Sequence, residues 1–502
     1  MINLIFLICY FAVMIGIGFY WRHSTKDING FVLGGRSVGP WLTAFAYGTS
    51  YFSAVVFIGY AGQFGWKYGI AAAWAGVGNA FLGSLLAWIV LGKRTRIMTQ
   101  HLGSATMPQF FGSRFNSKNL KIASSIIIFV FLIPYTASLY NGLSRLFEMA
   151  FHIDYSVFIV IMAVLTAIYV NAGGYMATAV NDFIQGLIMI FGIIAVVIAV
   201  LMSHGGLTES INKLSQVSDP EMGIAQGALT SLFGPDPFSL LCVVILTSLG
   251  TWGLPQMVQK FYAIKDVGAI KKGTIISTIF ALIVAGGCYF LGGFGRLYAD
   301  QVNVAADGYD SIVPTMVSTL SPVLIALVLV LVLAASMSTL SSLVLASSST
   351  ITIDLVKDNI AKKASEKKLI GLMRFLVVVF IAISAIIALI QYHSSVTFIA
   401  QLMGISWGAL AGSFLAPFLY SLFWKRTTKQ ACWACFIFGV GFMLFNMFGN
   451  SLLPGVLQSP INCGVIAMLA GLIIVPVVSV LSPKPDQEKV NKIFECFHKK
   501  AE

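Results

Sequence analysis

The sequence predicts an all-α polytopic membrane protein of about thirteen transmembrane helices. Of its 502 residues, 58% are hydrophobic and only 10% are charged, far from the balance of a water-soluble domain. Apolar runs recur at about the length that crosses a bilayer. Two of these runs carry Gly/Pro breaks in their middle, which is typical of membrane proteins built from two inverted halves.

The apolar runs predict these spans: 2–21, 40–64, 68–92, 120–150, 155–173, 179–203, 236–259, 273–296, 320–352, 369–391, 396–423, 431–447 and 461–481. The first run has no basic region before it and no small-residue cleavage site after it, so we expect a retained span rather than a signal peptide. The chain then divides into five parts. They are a first extra helix with its cytoplasmic loop (1–39), a first repeat half (40–203), an external loop (204–235), a second repeat half (236–423), and two extra helices with a short cytoplasmic tail (424–502).

The second and seventh spans are the interrupted ones. Gly48 and Gly59 weaken the second span, and Gly250, Gly253 and Pro255 weaken the seventh. A lone glycine usually serves close helix packing, but freed backbone groups in hydrocarbon are tolerated only where they line a cavity or an ion site. Five spans separate the start of one broken helix from the start of the other, and because five is odd the second broken helix should run opposite to the first. Spans 2–6 and 7–11 therefore predict a five-plus-five inverted repeat.

The net charge of +12 is distributed asymmetrically among the predicted loops. All basic residues but Lys67, Arg145, Lys213 and Arg296 are assigned to one side, Lys260 among them. The positive-inside rule makes that side cytoplasmic, with the N-terminus outside and the C-terminus inside. This placement also removes nucleic acid as the reason for the charge.

Covalent chemistry has no residues to support it. The seven cysteines are scattered, and Cys432 and Cys435 lie in an apolar helix without a second pair or histidines, which favours structural packing over metal or redox chemistry. Walker, nucleophile-elbow and HExxH motifs are absent from the sequence. We therefore expect neither an enzyme nor a cofactor.

The ninth span is unusually rich in hydroxyl groups, with nine Ser or Thr side chains between Ser336 and Thr350. A helix beside a dehydrated cation gains oxygen ligands in this way without burying a fixed charge. Ser338 and Thr339 would face such an ion. The alternative is that the hydroxyls allow close helix packing or bond to their own carbonyls, which is the better interpretation of any single one but not of the cluster.

Five segments, in this order, resemble the sodium/solute symporters, a family that carries proline, pantothenate, monocarboxylates, sialic acid and sugars. They are Phe31–Ser37, Thr106–Phe110, Gly173–Gln185, Ala335–Ser341 and Leu422–Arg426. The resemblance is greater to the pantothenate, proline and monocarboxylate branches than to the sugar branch. It implies a LeuT-like core.

The resemblance implies a sodium site between the first broken helix and the hydroxyl-rich helix. Thr49, Phe52 and Ala335 would supply backbone carbonyls, and Ser338 and Thr339 side-chain oxygens. Five oxygens without a carboxylate suit a small hard cation that must be released in every cycle.

Some family members hold a second sodium, whose ligands match Asp182, Ser341 and Ser342 here. Asp182 is a carboxylate within a span and hence a functional candidate, although it could instead cap its helix or couple transport to protons. We expect no Lys or Arg at its depth, which favours sodium as its partner.

The predicted substrate pocket departs from that of sugar carriers. Tyr51, Val55 and Val56 stand where those carriers have amide and charged side chains, and an apolar pocket would dehydrate a polyol at high cost. Tyr135 falls where proline carriers place a substrate-contacting Tyr. Trp252 lies mid-span, which favours the pocket over the alternative of an interfacial anchor. The candidate lining is Tyr51, Ser53, Val56, Tyr135, Ser248, Trp252, Pro255 and Gln401.

These features predict a sodium-coupled secondary active symporter of the cell's inner (plasma) membrane, which imports a small carboxylate or amino acid. Its expected partners are the substrate, sodium and the lipid bilayer, without nucleic acid or an obligate protein partner. The alternatives are a proton-coupled symporter of the same fold, a sugar or sialic acid carrier, a channel, and a transporter-like sensor. A sensor usually has a cytoplasmic signalling domain, whereas about twenty residues follow the last predicted span.

The topology can be tested with reporter fusions. A reporter after Glu502 should read cytoplasmic and one near Gly205 external, because seven predicted spans, an odd number, lie between the two positions. Both reporters on one side would contradict the thirteen-span plan.

Overall fold

The computed structural model describes residues 2–21, 27–151, 154–358, 360–394 and 399–498. Over these residues the chain is helical, and its only β pairing is two isolated bridges. The predicted all-α class is therefore confirmed.

The helices, in chain order, are α1 (Ile2–Tyr20), α2 (Ile28–Leu33), α3 (Pro40–Thr49), α4 (Ala61–Tyr68), α5 (Ala73–Gly78), α6 (Lys93–His101), α7 (Met107–Phe115), α8 (Lys118–Phe151), α9 (Tyr155–Ser203), α10 (Leu207–Gln216), α11 (Pro237–Leu249), α12 (Pro255–Ala263), α13 (Val267–Gly292), α14 (Val304–Asp307), α15 (Ile312–Ser318), α16 (Pro322–Thr350), α17 (Glu366–Ser394), α18 (Ile399–Phe423), α19 (Lys429–Phe448), α20 (Gly455–Gln458), α21 (Pro460–Leu481) and α22 (Gln487–Phe494). Several are joined by π-helical turns: Val55–Tyr60 leads into α4, Asn79–Leu86 and Trp88–Gly92 join α5 to α6, and Ile351–Lys357 extends α16.

Membrane-spanning helices account for most of the described chain. Nine are long and apolar enough to cross a bilayer, or ten if the bent pair α11 and α12 is one span, and two further apolar helices are shorter. Each predicted span is mostly helical where the structure describes it, and the second and seventh are interrupted. The fifth and sixth predicted spans share the 49-residue α9, which breaks at Gly174 (φ 57°, ψ −158°). The exact count of thirteen stays a prediction.

The first break does not lie at the predicted glycines. Gly48 and Gly59 are both helical, and the irregular backbone lies between them, after α3. A Cβ on Gly48 would lie 2.3 Å from a ring carbon of Phe280, and one on Gly59 would lie 3.0 Å from Ile399. The predicted break in this span is present, but it lies between the two glycines, and they serve close packing on either side of it.

The second break lies where it was expected. α11 ends in a 3₁₀ turn, Gly250–Trp252, and α12 begins with Pro255 at its first position, where the missing N–H of proline costs no hydrogen bond. The two helix axes differ in direction by 42°. Gly253 cannot carry a side chain here, since its Cβ would lie 2.8 Å from the Ala411 backbone.

The two broken helices run in opposite directions. The Val38 N–H, just before α3, donates to the carbonyl of Ala263 at the end of α12 (3.3 Å). At the other end of α3, Tyr47 donates to the carbonyl of Gly83 (2.8 Å), and Thr251, at the end of α11, donates to the same oxygen (3.1 Å). The start of one broken helix thus lies beside the end of the other, which is the relation that an odd step of five spans from one to the other predicts.

Helices α16 and α18 enclose the two breaks. α18 contacts both the π-helical turn after the first break and the 3₁₀ turn before the second. α16 packs along α8 and α9, and every one of its residues from 328 to 350 is buried. Its hydroxyl groups therefore face protein rather than lipid.

The close crossing of α4 and α13 provides a stability test. A Cβ on Gly65 would lie 1.9 Å from the carbonyl oxygen of Gly292, so Gly65→Ala should force the two backbones apart. We expect a loss of about 1–3 kcal/mol in the free energy of unfolding, measured as a lower midpoint of thermal unfolding in detergent. Gly441→Ala is the matched control, because Gly441 is exposed in a helix and has nothing within 4 Å of its Cβ position. Equal midpoints for both variants would contradict the crossing.

Candidate functional site

Five oxygen-bearing positions converge at the first break. Ser338 Oγ lies 3.1 Å from the carbonyl oxygen of Thr49 and 3.0 Å from that of Ala335. Thr339 Oγ1 lies 3.1 Å from the Thr49 oxygen, 3.3 Å from that of Phe52 and 3.1 Å from that of Ala335. All five residues are buried. The structure thus brings together the complete predicted sodium-ligand set.

The donor set suits a small hard cation. It consists of three backbone carbonyls and two hydroxyls, all neutral, which is the oxygen chemistry that such ions prefer. The Thr49 hydroxyl does not belong to the set, since it donates to the Phe45 carbonyl one turn earlier (2.9 Å). The Ser338 and Thr339 hydroxyls can rotate and offer lone pairs to an ion in place of the hydrogen bonds they donate here.

A buried charge pair lies next to this set. Lys260 of α12 places its Nζ 3.8 Å from Asp182 Oδ2 of α9, and both side chains are almost wholly buried. The same ammonium donates to Ser342 Oγ of α16 (3.0 Å) and lies over the ring of Tyr175 (5.1 Å to its centroid). Ser342 Oγ is in turn 2.8 Å from Ser50 Oγ in the first break. The lysine of α12 therefore contacts groups of two other helices, α9 and α16.

This pair overturns two sequence-based expectations about charge. Lys260 was assigned to a cytoplasmic loop, and no basic residue was expected at the depth of Asp182; both predictions are wrong. The seventh predicted span ends at residue 259, whereas α12 continues to Ala263 and is buried along its whole length. A lysine one residue beyond an apolar run therefore turns back into the protein interior.

Ser341 and Asp182, two of the implied ligands of a second sodium, have other surroundings than expected. Ser341 donates to the carbonyl of Ser338 in its own helix (2.9 Å), which is the packing alternative. Asp182 lies inside α9, and neither of its oxygens accepts a hydrogen bond from any described residue. It therefore does not cap a helix.

Four of the predicted substrate positions lie in or beside the first break. Tyr51, Ser53 and Val56 are buried there, and Tyr135 of α8 directs its hydroxyl toward Ser53 and the indole of Trp407. The Tyr135 and Trp407 rings meet edge to face, with centroids 5.9 Å apart. We call four polar residues in or beside the first break the polar cluster: Tyr51, Ser53, Tyr135 and Trp407.

Each member of the polar cluster has a buried polar atom without a hydrogen-bond partner among the described residues: Tyr51 Oη, Ser53 Oγ, Tyr135 Oη and Trp407 Nε1. Such atoms are rare in proteins, and each costs roughly 1–3 kcal/mol if it is left unpaired. Four of them in or beside one helix break make this region the candidate site for a small polar ligand.

The predicted residues of the second break contact another helix. Ser248 donates to Asn79 Oδ1 (3.3 Å), and the Trp252 indole donates to the carbonyl of Leu82 (3.0 Å). Both partners belong to the π-helical segment Asn79–Leu86. Gln401 is partly buried near the start of α18, and no hydrogen bond in the described structure joins it to the polar cluster. The structure therefore does not bring these polar groups to the first break.

Two candidate site residues were missed by the sequence analysis. Gln256 follows Pro255, and both polar atoms of its amide are buried without a partner in the described chain. A polar side chain directly after a predicted break was a signal for it. Trp407 gave no such signal, because its role follows from the contacts of α18 with both breaks.

Comparison with known proteins identifies the relatives of this chain. The model of the sodium:solute symporter family matches residues 31–439. The osmoregulated proline transporter OpuE of Bacillus subtilis (strain 168) is 31% identical over 483 residues, which are 95% of this chain and 94% of that protein. The sodium/proline symporter 2 of Staphylococcus saprophyticus is 30% identical over 443 residues, or 87% and 84% of the two chains. The resemblance to the branch that includes proline carriers is confirmed.

Solved structures share the fold. A sodium-coupled sialic acid symporter, in a substrate-bound outward-open state, superposes with a TM-score of 0.78 at 19% identity over 97% of this chain and 99% of that one. Mhp1, of the nucleobase-cation-symport-1 family, gives 0.51 at 14% identity over 92% and 97%. The fold is LeuT-like. Since the family model extends from α2 into α19, the chain belongs to the sodium:solute symporter family and is a multi-pass membrane protein that imports a small organic solute together with sodium.

Proposed function

We propose that this transporter imports proline, or another small amino acid with a largely apolar body, by sodium symport. The observation that carries the proposal is the polar cluster, which lies at the same helix break as the five converging oxygens. The two named relatives support the choice, because both are called proline carriers.

The chemistry of the cluster fits a zwitterion better than a sugar. Tyr51, Tyr135 and Trp407 offer ring faces to an apolar ring or side chain, and their polar atoms with Ser53 can pair a few charged groups. The π-helical turn that begins at Val55 directs its positive dipole end toward the break, which favours a carboxylate there. A hexose would bring many hydroxyls to a pocket with few partners for them.

Sodium would act by ordering the break. Its proposed ligands Thr49 and Phe52 flank Tyr51, so an ion that binds them to α16 also fixes the backbone that carries part of the polar cluster. Substrate binding would stabilise sodium binding to the same extent, because coupling between two sites is reciprocal.

The driving force of one sodium suits such a substrate. One charge moving through 100 mV supplies about 2.3 kcal/mol, and a tenfold sodium gradient adds about 1.4 kcal/mol. Together these concentrate a zwitterion on the order of 500-fold. A monoanion would cancel the electrical part and be concentrated only about tenfold.

The orientation and repeat boundaries belong to the same proposal. We place the protein in the plasma (inner) membrane of the cell with an external N-terminus and a cytoplasmic C-terminus, as the basic loops favour. The repeat halves remain 40–203 and 236–423.

The sodium ligands can be tested by substitution. Ser338→Ala and Thr339→Val should each raise the sodium concentration for half-maximal uptake by at least about tenfold, a loss that is common even for outer-shell partners of metal sites. Ser349→Ala is the matched control, because that serine lies on the same helix and only bonds back to Ala346 (3.1 Å). Unchanged sodium dependence in both site variants would contradict the assignment.

The substrate can be tested by uptake into proteoliposomes. Labelled proline should accumulate with external sodium and not when choline replaces sodium at constant pH, and hexoses should not compete. Tyr135→Phe and Ser53→Ala should each raise the proline KM by about tenfold, since each removes one hydroxyl partner. Tyr420→Phe is the control, because the Tyr420 hydroxyl donates to the carbonyl of Leu472 in α21 (3.0 Å). Competition by a hexose at micromolar concentration would overturn the proposal, as would proline uptake that follows protons rather than sodium.

A further inference from the structure

The Asp182–Lys260 pair occupies the place where the family resemblance implies a second sodium. Of the three implied ligands, Asp182 faces the Lys260 ammonium at 3.8 Å and Ser342 accepts its hydrogen bond at 3.0 Å. The third, Ser341, is turned back to its own helix. The residues present therefore do not fit a second metal ion, because a positive charge already lies against its ligands.

We propose that the Lys260 ammonium is a built-in second cation, so that the transporter binds one sodium per cycle rather than two. This inference rests on the proposed sodium symport and specifies its stoichiometry. A lysine ammonium and a sodium ion carry the same charge, and both seek oxygen partners. A sodium ion placed between Asp182 and Ser342 would lie within a few ångströms of the ammonium and be repelled by it.

The position of Lys260 also links the charge pair to the first sodium site. Its partner Ser342 contacts Ser50 Oγ (2.8 Å), and Ser50 directly follows Thr49, whose carbonyl belongs to the sodium-ligand set. Lys260 itself belongs to the second broken helix. The ammonium therefore holds α9, α12 and α16 together beside the first break. A second sodium ion could do the same only while it is bound. Lys260 acts here as a positioning residue.

The decisive measurement is the number of sodium ions bound. Purified wild-type protein should bind one labelled sodium ion per chain at saturation, and uptake should show a Hill coefficient for sodium near one. Asp182→Asn should leave the stoichiometry at one. Lys260→Met should expose the carboxylate and the Ser342 hydroxyl to a second sodium, so that the stoichiometry rises to two and the Hill coefficient rises toward two.

Two further variants show whether the effect belongs to the charge pair. Lys260→Arg keeps the charge and should still bind one sodium, and Lys260→Met combined with Asp182→Asn should return to one. Lys265→Met is the matched control, since that lysine side chain is exposed, and it should bind one sodium ion.

The outcomes separate this inference from the proposed function. Two sodium ions in wild type, falling to one in Asp182→Asn, would overturn the inference and leave sodium symport intact. One sodium ion in properly folded Lys260→Met would also overturn it. If Lys260→Met cannot be purified, the comparison of wild type with Asp182→Asn decides the question alone. The absence of saturable sodium binding to wild type would instead overturn the proposed function.

Discussion

A helix interrupted inside a membrane must find partners for the backbone groups that it frees, and this requirement organises the centre of the molecule. Water is absent at that depth, so each unpaired group would cost several kcal/mol. Here the carbonyls of Thr49 and Phe52 are met by the Ser338 and Thr339 hydroxyls, which lie in the buried part of α16. The groups that stabilise the break are also oxygen ligands, so the same contacts can be exchanged for a cation without any fixed charge being buried.

The second broken helix meets the same constraint differently. Its polar side chains pair with a π-helical segment of a neighbouring span, where Gly83 and Leu82 offer carbonyls to Thr251 and Trp252. π-helical turns displace backbone groups from the regular ladder and often mark functional sites. One break therefore offers oxygens to an ion, and the other is anchored to a third helix. This asymmetry leaves the first break as the place where ligand and ion can meet.

The sequence was sufficient for the features that depend on order along the chain. Hydropathy placed the helices, the odd step of five spans from one broken helix to the other predicted their opposite directions, and the motif around Ser338 supplied the proposed ion ligands. The sequence was not sufficient where the depth of a side chain or a contact between distant segments determines its role. Gly48 and Gly59 were expected to weaken their helix, yet each lies in a helical segment and allows a bulky neighbour to approach. Lys260 was taken for a loop residue, because hydropathy averages a window and does not show a side chain that turns inward. Trp407 could not be assigned before its helix was seen to touch both breaks.

Lys260, which the sequence analysis assigned to a loop, connects substrate class with ion stoichiometry. A transporter of monoanions gains little from one sodium, since the substrate charge cancels the electrical driving force, whereas a zwitterion retains it in full. A fixed ammonium against Asp182 neutralises that carboxylate without using a second ion from the gradient. It also costs the cycle no repeated dehydration of a cation. The pairing of one exchangeable cation with one covalently attached cation is thus consistent with a neutral substrate, and a strictly anionic substrate would be poorly served by it. The charge at position 260 therefore bears on both what the protein carries and how steeply it can concentrate it.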